Sequence, residues 1–294
     1  MKTSASAIVT ERGEPMRRAF ILILFFGLIS IPGFSQNPKW AVWETEADTL
    51  MSHEDFKGAI KLYTKVIDAS KLKDEKSYRV LYKRAVGYYS SGNFRMAITD
   101  MDRFIPKYQE SYQARVLRAL AYRELGEVDK QLIDVEKALE LSRGEPQIMK
   151  WRAGLLMEKG EYELAKQDLL LVKLFQDDPE VEMNLAFAYY SLDKSDSALM
   201  AINKSIELDA TFAPAYLYGG TFALEEENFE LALKYLDVAL RLDPESVTAL
   251  FYKGVALVEL KKEKEGCSCL NKAFMAGQDD AADYLKQYCY GIYK

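Results

Sequence analysis

The chain has 294 residues, of which 49% are apolar and 29% are charged. This composition is typical of a folded helical protein and excludes a disordered chain. The formal net charge is −6 and no basic run or stripe stands out, so phosphate backbones would be repelled and no nucleic-acid partner is expected.

The first 36 residues are predicted to be a secretory signal peptide. Arg17 and Arg18 precede a mostly apolar run over 19–31, and small residues precede Gln36, so we expect cleavage near Ser35–Gln36. A helix of that length spans about 20 Å, which is shorter than the ~30 Å hydrocarbon core of a bilayer. Cleavage is therefore favoured, and an uncleaved anchor is the alternative.

The predicted location follows from this segment. We expect an exported protein, periplasmic or secreted, with no stable membrane span once the signal is cleaved. Met16 stands directly before the two arginines, so we expect it to be the true start.

Small residues then recur about every 34 positions along almost the whole chain. One series consists of Ala47, Ala85, Ala119, Ala153, Ala186, Gly220 and Gly254. A second series in phase with it consists of Ala59, Ala97, Gln131, Ala165, Ala198, Ala232 and Gly266, and only Gln131 is not small. A period of this length indicates a helical solenoid, which works mainly by presenting an extended surface.

Residues 213–246 show that one period is a helical hairpin. Gly219 and Gly220 belong to a small-residue stripe on a first helix, and residues 225–228 form a polar turn. Phe229 opens the apolar face of a second helix, which ends before Pro244 because proline disfavours a helical residue before it.

These units resemble the tetratricopeptide repeat family. The first-helix pattern recurs as Ala85 with Tyr88, Ala119 with Tyr122 and Ala186 with Tyr189, and Phe94, Val128, Tyr162 and Phe229 open second helices. The resemblance implies an all-α, right-handed superhelix of about seven helix-turn-helix units over residues 40–277. The units start near residues 40, 78, 112, 146, 179, 213 and 247, and a capping helix is expected over residues 279–293.

The resemblance also implies a binding groove lined by the first helices, where partners of this family usually lie as peptides. The matching positions predict a groove at Tyr82, Tyr89, Arg123, Lys150, Met183, Asn184, Phe187, Tyr190, Tyr218 and Tyr252. Aromatic residues and methionine are enriched at the centres of protein interfaces, so a protein or peptide partner is expected. The alternative is that much of this set packs inside the repeats.

One known groove chemistry of the family is not expected here. Its chaperone-binding members clamp a carboxylate with lysine, arginine and asparagine side chains. Lys150 and Asn184 match that pattern, but Gly154, Pro214 and Tyr218 stand where a further asparagine and the basic pair belong.

The sequence offers little catalytic or metal-binding chemistry. His53 is the single histidine, and no glycine-rich phosphate loop is present. We therefore predict no cofactor, no metal and no enzymatic activity, and expect an interaction scaffold. The alternative is an envelope-associated accessory protein that binds carbohydrate or peptidoglycan, or an enzyme.

Three cysteines leave the redox state open. Cys267 and Cys269 are two residues apart on a predicted helix and face different sides, so they are poor partners for each other. Cys289 could bridge to either of them, or all three could be buried thiols.

Overall fold

The computed structural model describes residues 38–73 and 75–290, and every regular element in them is an α-helix. The helices are α1 (Pro38–Ser52), α2 (Phe56–Ser70), α3 (Glu75–Ser90), α4 (Phe94–Phe104), α5 (Tyr112–Glu124), α6 (Val128–Ser142), α7 (Pro146–Glu158), α8 (Tyr162–Val172), α9 (Pro179–Ser191), α10 (Ser195–Leu208), α11 (Ala213–Glu225), α12 (Phe229–Leu242), α13 (Val247–Glu259), α14 (Glu263–Met275) and α15 (Ala281–Tyr288). The predicted signal peptide, its cleavage site and Met16 lie outside the described residues.

Consecutive helices pack as antiparallel pairs within two compact units. The N-terminal unit, described over 38–158, contains the pairs α1–α2, α3–α4 and α5–α6 followed by α7. The C-terminal unit, described over 159–290, begins with α8 and continues with the pairs α9–α10, α11–α12 and α13–α14 and with the terminal helix α15. The predicted all-α array of helix pairs with a terminal helix is confirmed.

The small residues of both series lie in the core. All fourteen positions are buried, including Gln131, which is only 2% exposed. At the α13–α14 crossing a Cβ atom added to Gly266 would lie 2.9 Å from the carbonyl oxygen of Gly254. The small series therefore allows close backbone approach between paired helices, as ridges-into-grooves packing requires.

Each turn between paired helices contains one residue with left-handed backbone geometry. Glycine supplies it at Gly92 and Gly126, with φ of 79° and 70°. Non-glycine residues supply it at Asp193, Glu227 and Lys261, with φ of 58–63°. Because a Cβ disfavours this conformation, these three turns store strain that the glycine turns avoid.

The terminal helix α15 covers the apolar end of the C-terminal unit. It packs against α13 and α14, where Phe251, Val258 and Leu270 form a buried cluster with the half-buried Tyr284. A disulfide joins Cys267 of α14 to Cys289, which directly follows α15. Cys269 is a free, half-buried thiol, and burial raises its pKa.

Candidate partner-binding surface

The first helices of the C-terminal unit lie side by side. Helix α9 packs against α11, α11 against α13, and α13 against the terminal helix α15. Half-exposed tyrosines project from this layer at Tyr190 on α9, Tyr252 on α13, and Tyr284 and Tyr288 on α15. We call these four residues the tyrosine wall.

Buried rings support the wall from beneath. Tyr190 stacks on Phe222 of α11 with ring centroids 4.3 Å apart and planes 10° apart. Phe222 contacts Tyr218 at 5.9 Å, and Tyr218 meets the edge of Phe187 at 5.8 Å. Because these rings sit on packed helices, the exposed face of Tyr190 is held in place before any partner arrives.

The rest of the wall is connected in the same way. Phe251 contacts Tyr252 at 5.2 Å and Tyr284 at 5.6 Å, and Tyr284 stacks on Tyr288 at 6.2 Å. The hydroxyl of Tyr252 is also near Tyr218, whose pKa is raised first by burial and then by this neighbour. The four tyrosines of the wall, on α9, α13 and α15, are therefore linked by ring contacts to buried rings of α9, α11 and α13.

Glutamates accompany the tyrosines. Four first helices end on a glutamate, namely Glu124, Glu158, Glu225 and Glu259. The Tyr288 hydroxyl donates to Glu259 at 2.7 Å. Burial, followed by the nearby carboxylate of Glu225, raises the pKa of Tyr190. A carboxylate at a helix C-terminus opposes the helix dipole by about 0.3–1 kcal/mol, so helix stability does not explain this repeated choice.

The C-terminal unit holds six of the predicted groove residues. Asn184, Tyr190 and Tyr252 are half-exposed, as a binding surface requires. Phe187 is 6% and Tyr218 2% exposed, and Met183 is also buried, so these three side chains mainly pack the repeats. A direct contact between a partner and the three buried residues stays a prediction.

The N-terminal unit holds the other four predicted groove residues. Tyr82 and Tyr89 are buried, and the hydroxyl of Tyr82 has no hydrogen-bond partner. Arg123 is half-buried and forms an ion pair with the neighbouring Glu124 at 3.2 Å. Lys150 is half-buried as well. In this unit the predicted aromatic residues lie in the core, and a direct contact between them and a partner stays a prediction.

Sequence reasoning missed three members of the exposed surface. Tyr284 and Tyr288 lie on α15, beyond the last repeat, so the 34-residue period does not reach them. Glu225 was interpreted as part of a solvated turn. Its spacing of 34 residues from Glu259 was the available signal.

A repeated ion pair in the N-terminal unit was also missed. Arg84 on α3 makes a two-point contact with Asp100 on α4, at 2.8 and 2.7 Å. Arg118 on α5 contacts Asp134 on α6 in the same way, at 2.6 and 2.7 Å. Both aspartates are buried, and the pairs are 34 residues apart. Each pair joins the two helices of one repeat within the N-terminal unit.

Comparison with known families explains the repeated geometry. Tetratricopeptide repeat profiles match residues 82–146 and 220–265, and a second profile of the same repeat matches 183–212. The chain is a tetratricopeptide repeat protein. No curated protein matches it.

Solved structures share its fold, two of them from repeat proteins described as tetratricopeptide. A tetratricopeptide repeat protein from Parabacteroides merdae is 14% identical with a TM-score of 0.69, over 85% of this chain and 98% of the other. The C-terminal part of a repeat-containing protein from Cytophaga hutchinsonii is 17% identical with a TM-score of 0.61, over 81% and 98%. Pseudomonas aeruginosa pilF is 19% identical with a TM-score of 0.57, over 72% and 98%. At these identities the likeness concerns the fold.

Three further properties concern the described part of this tetratricopeptide repeat protein. Residues 38–73 and 75–290 contain no group of three or more histidine, cysteine or acidic side chains placed to hold a metal ion. Within the same ranges, every helix is too short or too polar to traverse a bilayer. His53 is exposed, and its Nδ1 lies 2.8 Å from the carbonyl oxygen of Thr49 at the end of α1.

Proposed function

We propose that the chain is a non-catalytic interaction scaffold that binds a peptide or protein segment along its first helices. The observation that carries the proposal is the tyrosine wall of the C-terminal unit. It presents half-exposed aromatic faces on packed helices and is supported by buried rings. Tyrosine is enriched among the residues that contribute most to binding energy at interfaces.

The repeat fold supports a scaffold role. Tetratricopeptide repeat arrays are usually non-catalytic and bind protein partners. Each repeat contacts mainly its neighbours, so an array offers a long surface without a closed pocket. A segment lying across α9, α13 and α15 would contact several repeats at once.

We further propose that the scaffold is exported and works in the periplasm or outside the cell. Arg17, Arg18 and the apolar run over 19–31 support export. The disulfide between Cys267 and Cys289 supports it independently, since such bonds form and persist in oxidising compartments.

The test compares two double variants in the native cell. Tyr190→Ser with Tyr252→Ser removes two half-exposed rings of the wall. Met200→Ser with Met275→Ser removes two apolar side chains that are 73% and 78% exposed on the second helices α10 and α14. Each variant is crosslinked in the cell and purified, and its bound proteins are identified by mass spectrometry.

We expect the wall variant to lose a protein that the wild-type chain and the methionine variant both retain. Equal recovery of every bound protein from all three chains would refute the wall as the binding surface. Circular dichroism of each purified variant checks that the helices are intact.

A further inference from the structure

One end of the tyrosine wall is strongly acidic. Tyr190 lies next to the turn after α9, which contains Asp193, and its hydroxyl is near Glu225 at the end of α11. Glu226 and Glu227 continue the turn after α11, and all four carboxylates are exposed. An aromatic face and a group of negative charges are thus presented to solvent together.

The glutamates of this turn carry negative charges that no ion pair compensates among the described residues. Within the described chain, no lysine or arginine forms an ion pair with Glu225, Glu226 or Glu227. Elsewhere in the C-terminal unit, Lys166 pairs with Glu163 at 2.5 Å and Lys253 with Asp237 at 2.6 Å.

Lys194, in the turn after α9, forms no ion pair with these glutamates in the described chain. Lys194 follows Asp193 in the turn after α9, but it acts on Glu163 of α8 and lowers the pKa of that carboxyl together with Lys166. Ser195 donates a hydrogen bond to Glu226 at 2.7 Å, which orients the carboxylate without removing its charge. The negative charge of Glu225, Glu226 and Glu227 therefore remains available to a partner.

We propose that the segment bound by the tyrosine wall is basic, with a lysine or arginine side chain placed on Tyr190 beside Glu225. This rests on the proposed scaffold function and names the chemistry of its partner. A cation over an aromatic face gains cation–π energy, and the surrounding carboxylates add charge complementarity. The aliphatic stem of the same side chain would pack on the neighbouring Leu224, which is half-buried.

The same charges exclude other occupants. An acidic peptide, a nucleic acid or an anionic membrane surface would bring negative charge against Glu225, Glu226 and Glu227. Like charges that meet across an interface cost binding energy and slow association.

The experiment measures binding of labelled synthetic peptides to the purified chain by fluorescence anisotropy. The probes are three repeating peptides that differ only in charge, built from Lys-Leu-Ser, Gln-Leu-Ser or Glu-Leu-Ser triplets. We expect the lysine peptide to bind best, the glutamine peptide more weakly and the glutamate peptide not at all. The affinity for the lysine peptide should fall as salt is raised, since exposed charges are screened.

Matched variants locate the effect. Glu225→Gln with Glu226→Gln should weaken binding of the lysine peptide about fivefold, because two exposed ion pairs are lost. Glu245→Gln with Glu265→Gln changes the net charge equally at exposed positions away from the wall and should leave binding unchanged. Tyr190→Leu keeps an apolar side chain and should weaken binding about threefold through the lost aromatic face.

Three results would overturn the proposal that the bound segment is basic. They are equal binding of all three peptides, no binding of the lysine peptide, and equal weakening by both glutamine double variants. The scaffold function is tested separately by the serine variants of Tyr190 and Tyr252. If those variants lose the native partner but the purified chain shows no preference for the lysine peptide, the proposal of a basic partner is wrong and the proposed scaffold function stands.

Discussion

The close crossing of paired helices predicts opposite effects for two glycine-to-alanine substitutions. Gly266 lies on α14 and Gly154 on α7, both inside helices. A Cβ on Gly266 would lie 2.6 Å from Cγ1 of Val258 and 2.9 Å from the carbonyl oxygen of Gly254. A Cβ on Gly154 would have no neighbouring atom within 4 Å.

The magnitudes separate packing from helix propensity. Alanine is favoured over glycine inside a helix by about 1 kcal/mol, and this gain applies to both sites. At Gly266 the added methyl meets a buried β-branched side chain and backbone, neither of which can turn away, and overpacking costs roughly 1–3 kcal/mol. Gly154→Ala should therefore raise the free energy of unfolding by up to about 1 kcal/mol. The free energy of unfolding of the Gly266→Ala variant should be about 1–3 kcal/mol lower than that of the Gly154→Ala variant.

The assay is urea unfolding followed by helical circular dichroism, with both variants and the wild type at one protein concentration. A change in the midpoint without a change in slope reports stability alone. Equal stabilisation by both substitutions would refute the reasoning, because it would mean that α13 and α14 are not in close contact at Gly266.

Four further predictions concern single features of the fold. Lys261→Gly should raise the free energy of unfolding by about 0.5–1 kcal/mol, measured by urea unfolding, because φ of 63° strains a residue that has a Cβ; a loss of stability would contradict the turn geometry. Tyr82→Phe removes a buried hydroxyl that has no hydrogen-bond partner, so the free energy of unfolding should stay unchanged or rise. Tyr63→Phe removes a 2.6 Å hydrogen bond to Asp48 and should lower the free energy of unfolding by about 1–2 kcal/mol in the same assay. Burial raises the pKa of Tyr82 in the folded chain, so stability should fall as pH rises above about 10, the unfolded value, and Tyr82→Phe should reduce that fall. Reduction of the Cys267–Cys289 disulfide, whose cysteines are 22 residues apart, should lower the free energy of unfolding by about 3 kcal/mol. A thiol assay should count one free cysteine before reduction and three after it. Three free thiols in the untreated chain would refute the bond.

Much of the fold could be predicted because the same packing requirement recurs in every repeat. Ala85 and Ala119 are buried on first helices that pack against a second helix, so the small position recurs and sets the helix pairs. Several first helices begin at the residue given in the sequence analysis as the start of a unit, including α5 at Tyr112 and α11 at Ala213. Local signals such as Pro244 after α12 agree with that phase.

The exposed part of the surface was harder to predict because first helices are covered on several sides. In α11 most residues are buried, since the helix packs against α12, α9 and α13. A period alone does not separate the face toward a neighbouring helix from the face toward solvent, so Tyr218 and Tyr190 looked equivalent in sequence. The structure separates them, because Tyr218 is buried under the layer and Tyr190 is half-exposed.

The pairing of the cysteines was left open for a related reason. Spacing excluded a bond between Cys267 and Cys269 but allowed Cys289 to meet either one. The choice depends on how α15 packs against α14, which is a tertiary contact outside the repeat.

The central claim is that a partner lies on the tyrosine wall, and site-specific photocrosslinking tests it most directly. A photoreactive phenylalanine analogue is placed singly at Tyr190 and Tyr252 on the wall, and at Met200 and Met275 on the second helices. After irradiation of native cells, we expect one common partner crosslinked from both wall positions and from neither methionine position. Crosslinks of that partner from Met200 or Met275, with none from Tyr190 or Tyr252, would contradict it.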